Sequence, residues 1–232
     1  MKSAKKSERE TQTKLIERKE KGTKKAAKKK PQLLFANERA VKQEIRILGI
    51  DDSPFSPQDR GEDILVIGTV HRGGGYLEGV ISTFITVDGN NATSQLIEMI
   101  NNSRHRGQLQ VIMTDGIALG GFNVIDIEEV SMKTRLPVIV IMRHKPNFDN
   151  IKKALLNVAE PEKKLKLMFK AGEIMECMIN DATIYFQCKG ITAVKARDII
   201  KTAITYGNMP EPIRTAHLIA SGVIDGESRG RA

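Results

Sequence analysis

The chain has 232 residues, 40% of them hydrophobic, and a formal net charge of +9. This length fits one domain with an ample core. Its apolar runs are shorter than the ~20 residues of a membrane-spanning helix, and its first residues are too charged for a signal peptide. We therefore expect a cytoplasmic protein without a membrane partner. Cys177 and Cys188 lack metal-ligand spacing, which argues against a disulfide framework or a structural zinc site.

The excess positive charge lies at the start of the chain. Residues 1–30 hold 13 Lys or Arg and 4 Glu, so the remaining chain has 24 basic and 24 acidic residues. We predict a disordered arm over residues 1–36 and a single domain over residues 37–232. The arm either neutralises nucleic-acid phosphates without reading sequence or only keeps the protein soluble. The candidate phosphate contacts in it are Lys24, Lys25, Lys28, Lys29 and Lys30.

The first predicted elements are three extended segments. A run of apolar residues predicts a strand over 45–50, and two further runs, 63–71 and 76–87, flank the Gly-rich turn 72–75. Because the connections between these runs are short, we predict three antiparallel strands.

Helices and strands alternate in the next part of the chain. Helical spacing of apolar residues predicts helices over 92–106 and 124–134, and the strands 110–114 and 138–142 follow them. The resulting order is βββαβαβ. It predicts an α/β fold with a mixed five-stranded sheet, in which the first and fourth strands lie side by side and parallel.

The last third of the chain predicts C-terminal helices and a small hairpin. These elements are a helix over 161–171, hairpin strands over 173–179 and 183–188, and helices over 193–206 and from Pro210 onward. In the first of these helices, spacing predicts that Leu165, Met168 and Phe169 are buried.

Acidic residues stand where two predicted strands end. Asp51 and Asp52 follow the strand 45–50, and Asp115 follows the strand 110–114. Strands disfavour Asp, and an Asp at a strand tip often only shapes a turn. If the two tips are neighbours in one sheet, they lie ~5 Å apart, which lets both carboxylates reach one hard cation. The pattern therefore predicts a metal site.

His217 lies on the apolar stripe of the last predicted helix, in register with Ile213, Ala216 and Ala220. A histidine in such a stripe usually packs in the core with one ring nitrogen hydrogen-bonded. That interpretation holds unless another polar group faces the ring.

Several short motifs coincide with the ends of these predicted elements. They are Ile50-Asp51-Asp52-Ser53-Pro54-Phe55, Arg72-Gly73-Gly74, Tyr76-Leu77-Glu78-Gly79, Thr114-Asp115-Gly116, the segments 137–143 and 210–217, and Ala220-Ser221-Gly222. With the order βββαβαβ, these motifs resemble endonuclease V. More closely, the chain from about Ile45 onward is similar to a mainly archaeal protein family related to endonuclease V.

The resemblance implies a ribonuclease H-like fold and a Mg²⁺-dependent hydrolase that cuts DNA or RNA phosphodiesters near deaminated bases. Mn²⁺ is a second candidate ion, because a nitrogen ligand from His217 suits the softer ion. The resemblance implies that Asp51 and Asp115 bind the metal and that His217 lies close to it. It also implies that Arg143 is a basic active-site residue and that Tyr76 is an aromatic wedge beside the lesion. Arg72, in the Gly-rich turn, is a further candidate phosphate contact.

The chain departs from endonuclease V at the third strand. The position of a metal-binding Glu in that family is occupied here by Ile85. Asp88 can replace this Glu only if a β-bulge turns its side chain toward the metal site. Otherwise Asp88 is a turn residue. Asp52 is a second substitute, from the first strand. The departure keeps an alternative open, namely a non-catalytic nucleic-acid-binding protein with the same fold. The oligomeric state stays undetermined.

Overall fold

The computed structural model describes residues 40–228. The predicted arm and its lysines lie outside these described residues. Within 40–228, no helix has the length and hydropathy needed to cross a membrane. The strands of the described chain are β1 Arg46–Asp52, β2 Asp63–Arg72, β3 Tyr76–Thr86, β4 Val111–Asp115, β5 Ala118–Leu119, β6 Asn123–Val124, β7 Val138–Met142, β8 Met175–Ile179 and β9 Ala182–Lys189.

The main sheet has the strand order β3-β2-β1-β4-β7-β9-β8. The strands β1, β2 and β3 are antiparallel neighbours, whereas β1, β4 and β7 run parallel. This arrangement confirms the predicted α/β fold, the three-stranded meander and the parallel pairing of the first and fourth strands.

The predicted count of five strands is too low. The hairpin β8–β9 does not stand apart, because β9 pairs with β7 in antiparallel orientation from Val138↔Lys189 to Met142↔Tyr185. The strand β7 is buried over most of its length, so its outer edge would otherwise bury unpaired backbone groups. The hairpin satisfies those groups and extends the sheet to seven strands.

Helices cover both faces of this sheet. They are α1 Ala92–Asn102, α2 Ile127–Thr134, α3 Phe148–Leu155, α4 Pro161–Lys170, α5 Ala193–Ala203 and α6 Glu211–Asp225, with a short 3-10 turn at Pro57–Asp59. Successive strand residues point to opposite faces, so β1 contributes Leu48 and Ile50 to a cluster with Leu96 of α1, and Ile47 to a cluster with Ile213 of α6.

The helix α2 begins later than the sequence pattern predicts. Its N-cap is Asp126, whose side chain accepts a hydrogen bond from the backbone N–H of Glu129 at 3.1 Å. Asn123, which directly precedes the predicted helix 124–134, lies in β6, and its side-chain amide donates to the carbonyl of Thr86 at 2.9 Å. Asn and Asp both cap helices well, so the pattern alone does not separate the two positions.

The helix α4 buries a residue that its pattern assigns to solvent. Phe169, predicted to be buried, is 54% exposed. Lys164 is fully buried, and its ammonium group donates to the carbonyls of Gly89 and Phe122 at 2.5 and 2.7 Å. The charge is tolerated because backbone oxygens of two loops surround it. Through these hydrogen bonds, Lys164 links the loop after β3 to the turn after β5.

The helix α6 approaches the sheet unusually closely at Gly49 of β1. A β-carbon added to Gly49 would lie 2.2 Å from the backbone carbon of Pro212. The hydroxyl of Thr69, on the neighbouring strand, donates to the carbonyl of Pro212 at 2.5 Å. Gly49 therefore permits the first turn of α6 to rest directly on β1 and β2.

We predict that Gly49→Ala destabilises the protein, because its methyl group would overlap the backbone of Pro212. Overpacking of this kind typically costs about 1–3 kcal/mol of unfolding free energy, and a backbone neighbour cannot move aside cheaply. Urea unfolding measures the change. Gly107→Ala is the matched control, since a β-carbon there meets nothing within 4 Å. Equal stability of the two variants would contradict the close approach.

Candidate functional site

The structure brings Asp51 and Asp115 to neighbouring strand ends. The parallel register of β1 and β4 runs from Ile47↔Val111 to Ile50↔Thr114, so each Asp directly follows the last residue that pairs these two strands. Side chains at equivalent positions of paired strands share a face of the sheet. Both carboxylates line one cavity, and they stand on the face that α6 covers.

His217 faces this pair from α6. Its ring atom Nδ1 lies 2.9 Å from Oδ2 of Asp51. Because the carboxylate accepts, Nδ1 carries the hydrogen, and Nε2 has no hydrogen-bond partner among the described residues. The side chain of Asp51 is 6% exposed and that of His217 is 26% exposed. His217 is thus hydrogen-bonded to a carboxylate in addition to packing on the apolar stripe.

Asp52 approaches the same cavity from the other face of β1. Its Oδ2 accepts a hydrogen bond from the backbone N–H of Gly120 at 2.5 Å. Gly120 has a φ of +53°, a left-handed conformation that glycine adopts without strain. The turn between β5 and β6 thereby directs an N–H group at the carboxylate.

Burial dominates the electrostatics of the three carboxyl groups. It raises the pKa of Asp51, and the nearby charge of Asp115 adds to this effect while the hydrogen bond from His217 opposes it. It also raises the pKa of Asp115, against the lowering influence of Arg143. Burial and the charge of Asp51 raise the pKa of Asp52 to about 7. Carboxylates crowded in this way repel one another, and a cation would relieve that repulsion.

Arg143 lies at the edge of the same cavity, one residue after β7 ends. Its Nη2 donates to Oδ2 of Asp115 at 3.3 Å. The side chain of Arg143 is 34% exposed, so part of it contacts solvent. The position combines a link to the carboxylate cluster with access for an anion that enters the cavity.

Asp88 does not join the cluster. It adopts a φ of +55° in the turn after β3, where its carboxylate accepts from the backbone N–H of Phe122 at 2.9 Å and from Nε of Arg60 at 2.8 Å. These contacts agree with the turn interpretation. Ile85, which the sequence resemblance places where endonuclease V has a metal-binding Glu, is completely buried in the apolar cluster beneath α1.

The structure also separates Tyr76 and Arg72 from the carboxylates. Tyr76 pairs with Arg72, which pairs with Arg46 at the opposite end of β1. Five strand positions of about 3.4 Å each separate Arg46 from Asp51, which places Tyr76 roughly 17 Å along the sheet. Arg72 is engaged in an ion pair with Glu78. The two residues predicted to contact nucleic acid therefore lie outside the cavity.

The cavity has a volume of about 670 Å³, within the range of ligand-binding clefts. Four residues of its lining received no role from sequence reasoning, namely Phe55, His144, Ser221 and Asp225, although Phe55 and Ser221 lie in the motifs quoted above. A signal for Ser221 and Asp225 exists, because positions i+4 and i+8 from His217 share its helix face. Among the described residues, no group of three or more His, Cys, Asp or Glu forms a complete metal-binding site by itself.

The sequence profile of the family described as endonuclease dU matches residues 43–224. The chain belongs to the endonuclease dU family. This result confirms the predicted resemblance to a mainly archaeal family related to endonuclease V. A UPF0215 protein of Methanothermobacter thermautotrophicus is 48% identical over 197 residues, which cover 84% of this chain and 96% of that protein.

Two solved structures resemble the chain. A protein of unknown function from Archaeoglobus fulgidus has a TM-score of 0.70 at 42% identity, over 78% of this chain and 98% of that one. Endonuclease V from Streptomyces avermitilis has a TM-score of 0.52 at 9% identity, over 82% of this chain and 86% of that one. At such low identity, the second comparison shows a shared fold alone.

We predict that His217 stays protonated at pH values above 6.5, the ordinary pKa of imidazole, because the hydrogen bond to Asp51 raises the pKa of His217. The contribution of this bond to the free energy of unfolding is fully present below pH 6.5, and it is lost as the pH rises through the pKa of His217 in the folded protein. NMR titration of metal-free protein measures the midpoint, with His217→Gln to assign the resonance. Asp51→Asn should lower this midpoint. An unchanged midpoint in Asp51→Asn would contradict the pairing.

Proposed function

We propose that this endonuclease dU family member is a divalent-metal-dependent endonuclease that hydrolyses nucleic-acid phosphodiesters. The observation that carries the proposal is the meeting of Asp51, Asp115 and His217 at one cavity, with His217 bonded to Asp51. A protein that only binds nucleic acid has no need for a carboxylate cluster, because such a cluster repels phosphate.

The donor set fits a hydrated Mg²⁺ or Mn²⁺ ion. Mg²⁺ is usually held by one or two carboxylates together with water and substrate phosphates, which matches a site without an all-protein cage. Asp51 and Asp115 would hold the ion, and Asp52 would add negative charge from beside them. When bound, such an ion polarises the scissile phosphate and lowers the pKa of a bound water.

The remaining residues have roles that follow from their positions. Arg143 would bind a non-bridging phosphate oxygen and stabilise the additional charge of the transition state. Nδ1 of His217 is held by Asp51, whereas Nε2 is buried and has no hydrogen-bond partner among the described residues, so Nε2 is the ring atom at which His217 would accept or donate a proton. Orientation by a carboxylate fixes which ring nitrogen reacts.

The family description points to DNA that contains deoxyuridine as the first substrate to assay. Deoxyuridine is a product of base deamination, in agreement with the lesion class implied by the sequence resemblance. RNA and deoxyinosine-containing DNA belong in the same assay, because the shared fold with endonuclease V does not fix the substrate.

A non-catalytic nucleic-acid-binding role is the second candidate. The observation that favours it is Ile85, which is completely buried in an apolar cluster where the resemblance expects a metal-binding Glu. An enzyme with fewer protein ligands would hold its cation weakly, and hydrolysis would be slow.

We predict that Asp115→Asn abolishes cleavage, because the amide keeps the shape of the side chain but loses the charge that holds the cation. The decrease in rate should exceed about 100-fold, since changes even outside the coordination shell cost 10–100-fold. Cleavage of the oligonucleotide panel with Mg²⁺ or Mn²⁺ measures it. Asp181→Asn, in the exposed turn between β8 and β9, is the control and should retain activity.

Two outcomes separate the candidates. Cleavage by the wild type and by Asp181→Asn, but not by Asp115→Asn, supports the enzyme. If the wild type and Asp115→Asn are equally inert with every divalent ion yet bind the oligonucleotides, the non-catalytic candidate replaces it.

We predict that the N-terminal lysines tune affinity and not chemistry. Exchange of Lys24, Lys25, Lys28, Lys29 and Lys30 for Gln should weaken nucleic-acid binding and flatten its salt dependence, because fewer counterions are released. Cleavage at saturating substrate should persist. Fluorescence anisotropy across a salt series measures the slope. An identical slope for wild type and variant would assign these lysines to solubility.

A further inference from the structure

An aromatic ring lies at the rim of the carboxylate cavity. Phe55 follows Asp51 and Asp52 by only a few residues, lines the cavity and is 41% exposed. Apolar side chains that are exposed singly are common on protein surfaces, so the exposure of Phe55 matters only through its place beside the carboxylates. An aromatic ring at that place offers a flat apolar surface to a ligand that the cavity binds.

The backbone on both sides holds this ring in place. The N–H of Ser53 donates to the carbonyl of Leu65 at 2.8 Å, which continues the strand pairing past β1, and Pro54 restricts the next turn of the chain. The edge of the Phe55 ring lies 3.7 Å from the position of a β-carbon on Gly121. Gly121 lacks a side chain and has a φ of +78°, so the turn fits beneath the ring.

The cavity thus has two chemically different sides. Arg143, His144 and His217 supply cationic or polar groups beside the carboxylates, whereas Pro54 and Phe55 supply apolar surface. A nucleotide has the same division, with a charged phosphate and a flat base. Aromatic side chains bind unpaired bases by stacking, and this contact tolerates every base because each has a π-face.

We propose that Phe55 is a base-stacking platform for the nucleotide next to the scissile phosphate, so that the substrate is single-stranded or locally unpaired nucleic acid. The inference rests on the proposed function, since it takes the carboxylate cluster as the place where the phosphate binds. A base within an intact duplex has both faces covered and cannot stack on Phe55 unless it leaves the helix.

A fluorescence experiment tests this role with the full-length protein. Single-stranded oligonucleotides carry 2-aminopurine beside the lesion, and stacking on Phe55 quenches its emission. Phe55→Leu keeps an apolar contact to Gly121 but removes the aromatic face. It should lose most of the quenching and about tenfold in affinity for single strands, while Phe55→Trp should retain both.

Control variants make the result specific. Tyr206→Ala removes a different exposed aromatic side chain, which lies outside the cavity lining, and it should leave quenching and affinity unchanged. Tyr76→Ala tests the aromatic residue at the other end of the sheet. If Tyr76→Ala loses the quenching while Phe55→Leu keeps it, the stacking platform is at Tyr76 and the inference is overturned.

The outcomes also distinguish this inference from the proposed function. If the wild type cleaves but Phe55→Leu matches it in quenching and single-strand affinity, the stacking role is wrong and the nuclease proposal stands. If the wild type neither binds nor cleaves any oligonucleotide, both fail. Loss of quenching in Phe55→Leu alone, with thermal unfolding unchanged, supports the platform.

Discussion

The close approach of α6 to β1 at Gly49 is the constraint on which the site depends. Any side chain at this position would overlap the backbone of Pro212, so the helix would have to move away from the sheet. The next turn of α6 carries His217, which reaches Asp51 only because the helix axis lies so near the strand. Thr69 adds a second attachment at the carbonyl of Pro212. A glycine two residues before Asp51 thus determines which group faces that carboxylate.

The site brings three carboxyl groups together at buried positions. Asp51, Asp52 and Asp115 all have a raised pKa because burial disfavours their charged forms. Such an arrangement lowers stability unless protons or cations neutralise it, and it is typical of functional sites. His217 and Arg143 offset part of the charge from one side of the cavity. The cavity is therefore suited to a cation and, through that cation, to a phosphate group.

Much of this architecture could be predicted from local patterns. Apolar runs ending in Asp51 and Asp115 predicted adjacent strand tips, because short connections and right-handed crossovers leave few alternatives. Patterns could not predict contacts that depend on distant parts of the chain. The burial of Lys164 requires carbonyl groups from two loops, and the pairing of β9 with β7 depends on an edge that only the assembled sheet creates. The resemblance predicts a nucleic-acid contact for Tyr76, and only the strand register shows that Tyr76 of β3 lies level with the end of β1 opposite to Asp51.

The central claim is that Asp51 and Asp115 bind one divalent cation together. Crystals of the metal-free protein soaked in Mn²⁺, with diffraction recorded at a wavelength where manganese scatters anomalously, test this claim directly. The account predicts one anomalous peak between the two carboxylates, about 2.0–2.6 Å from an oxygen of each, and no such peak for Asp115→Asn. Carboxylates that remain paired only with His217 and Arg143 at saturating Mn²⁺, without a peak between them, would contradict it.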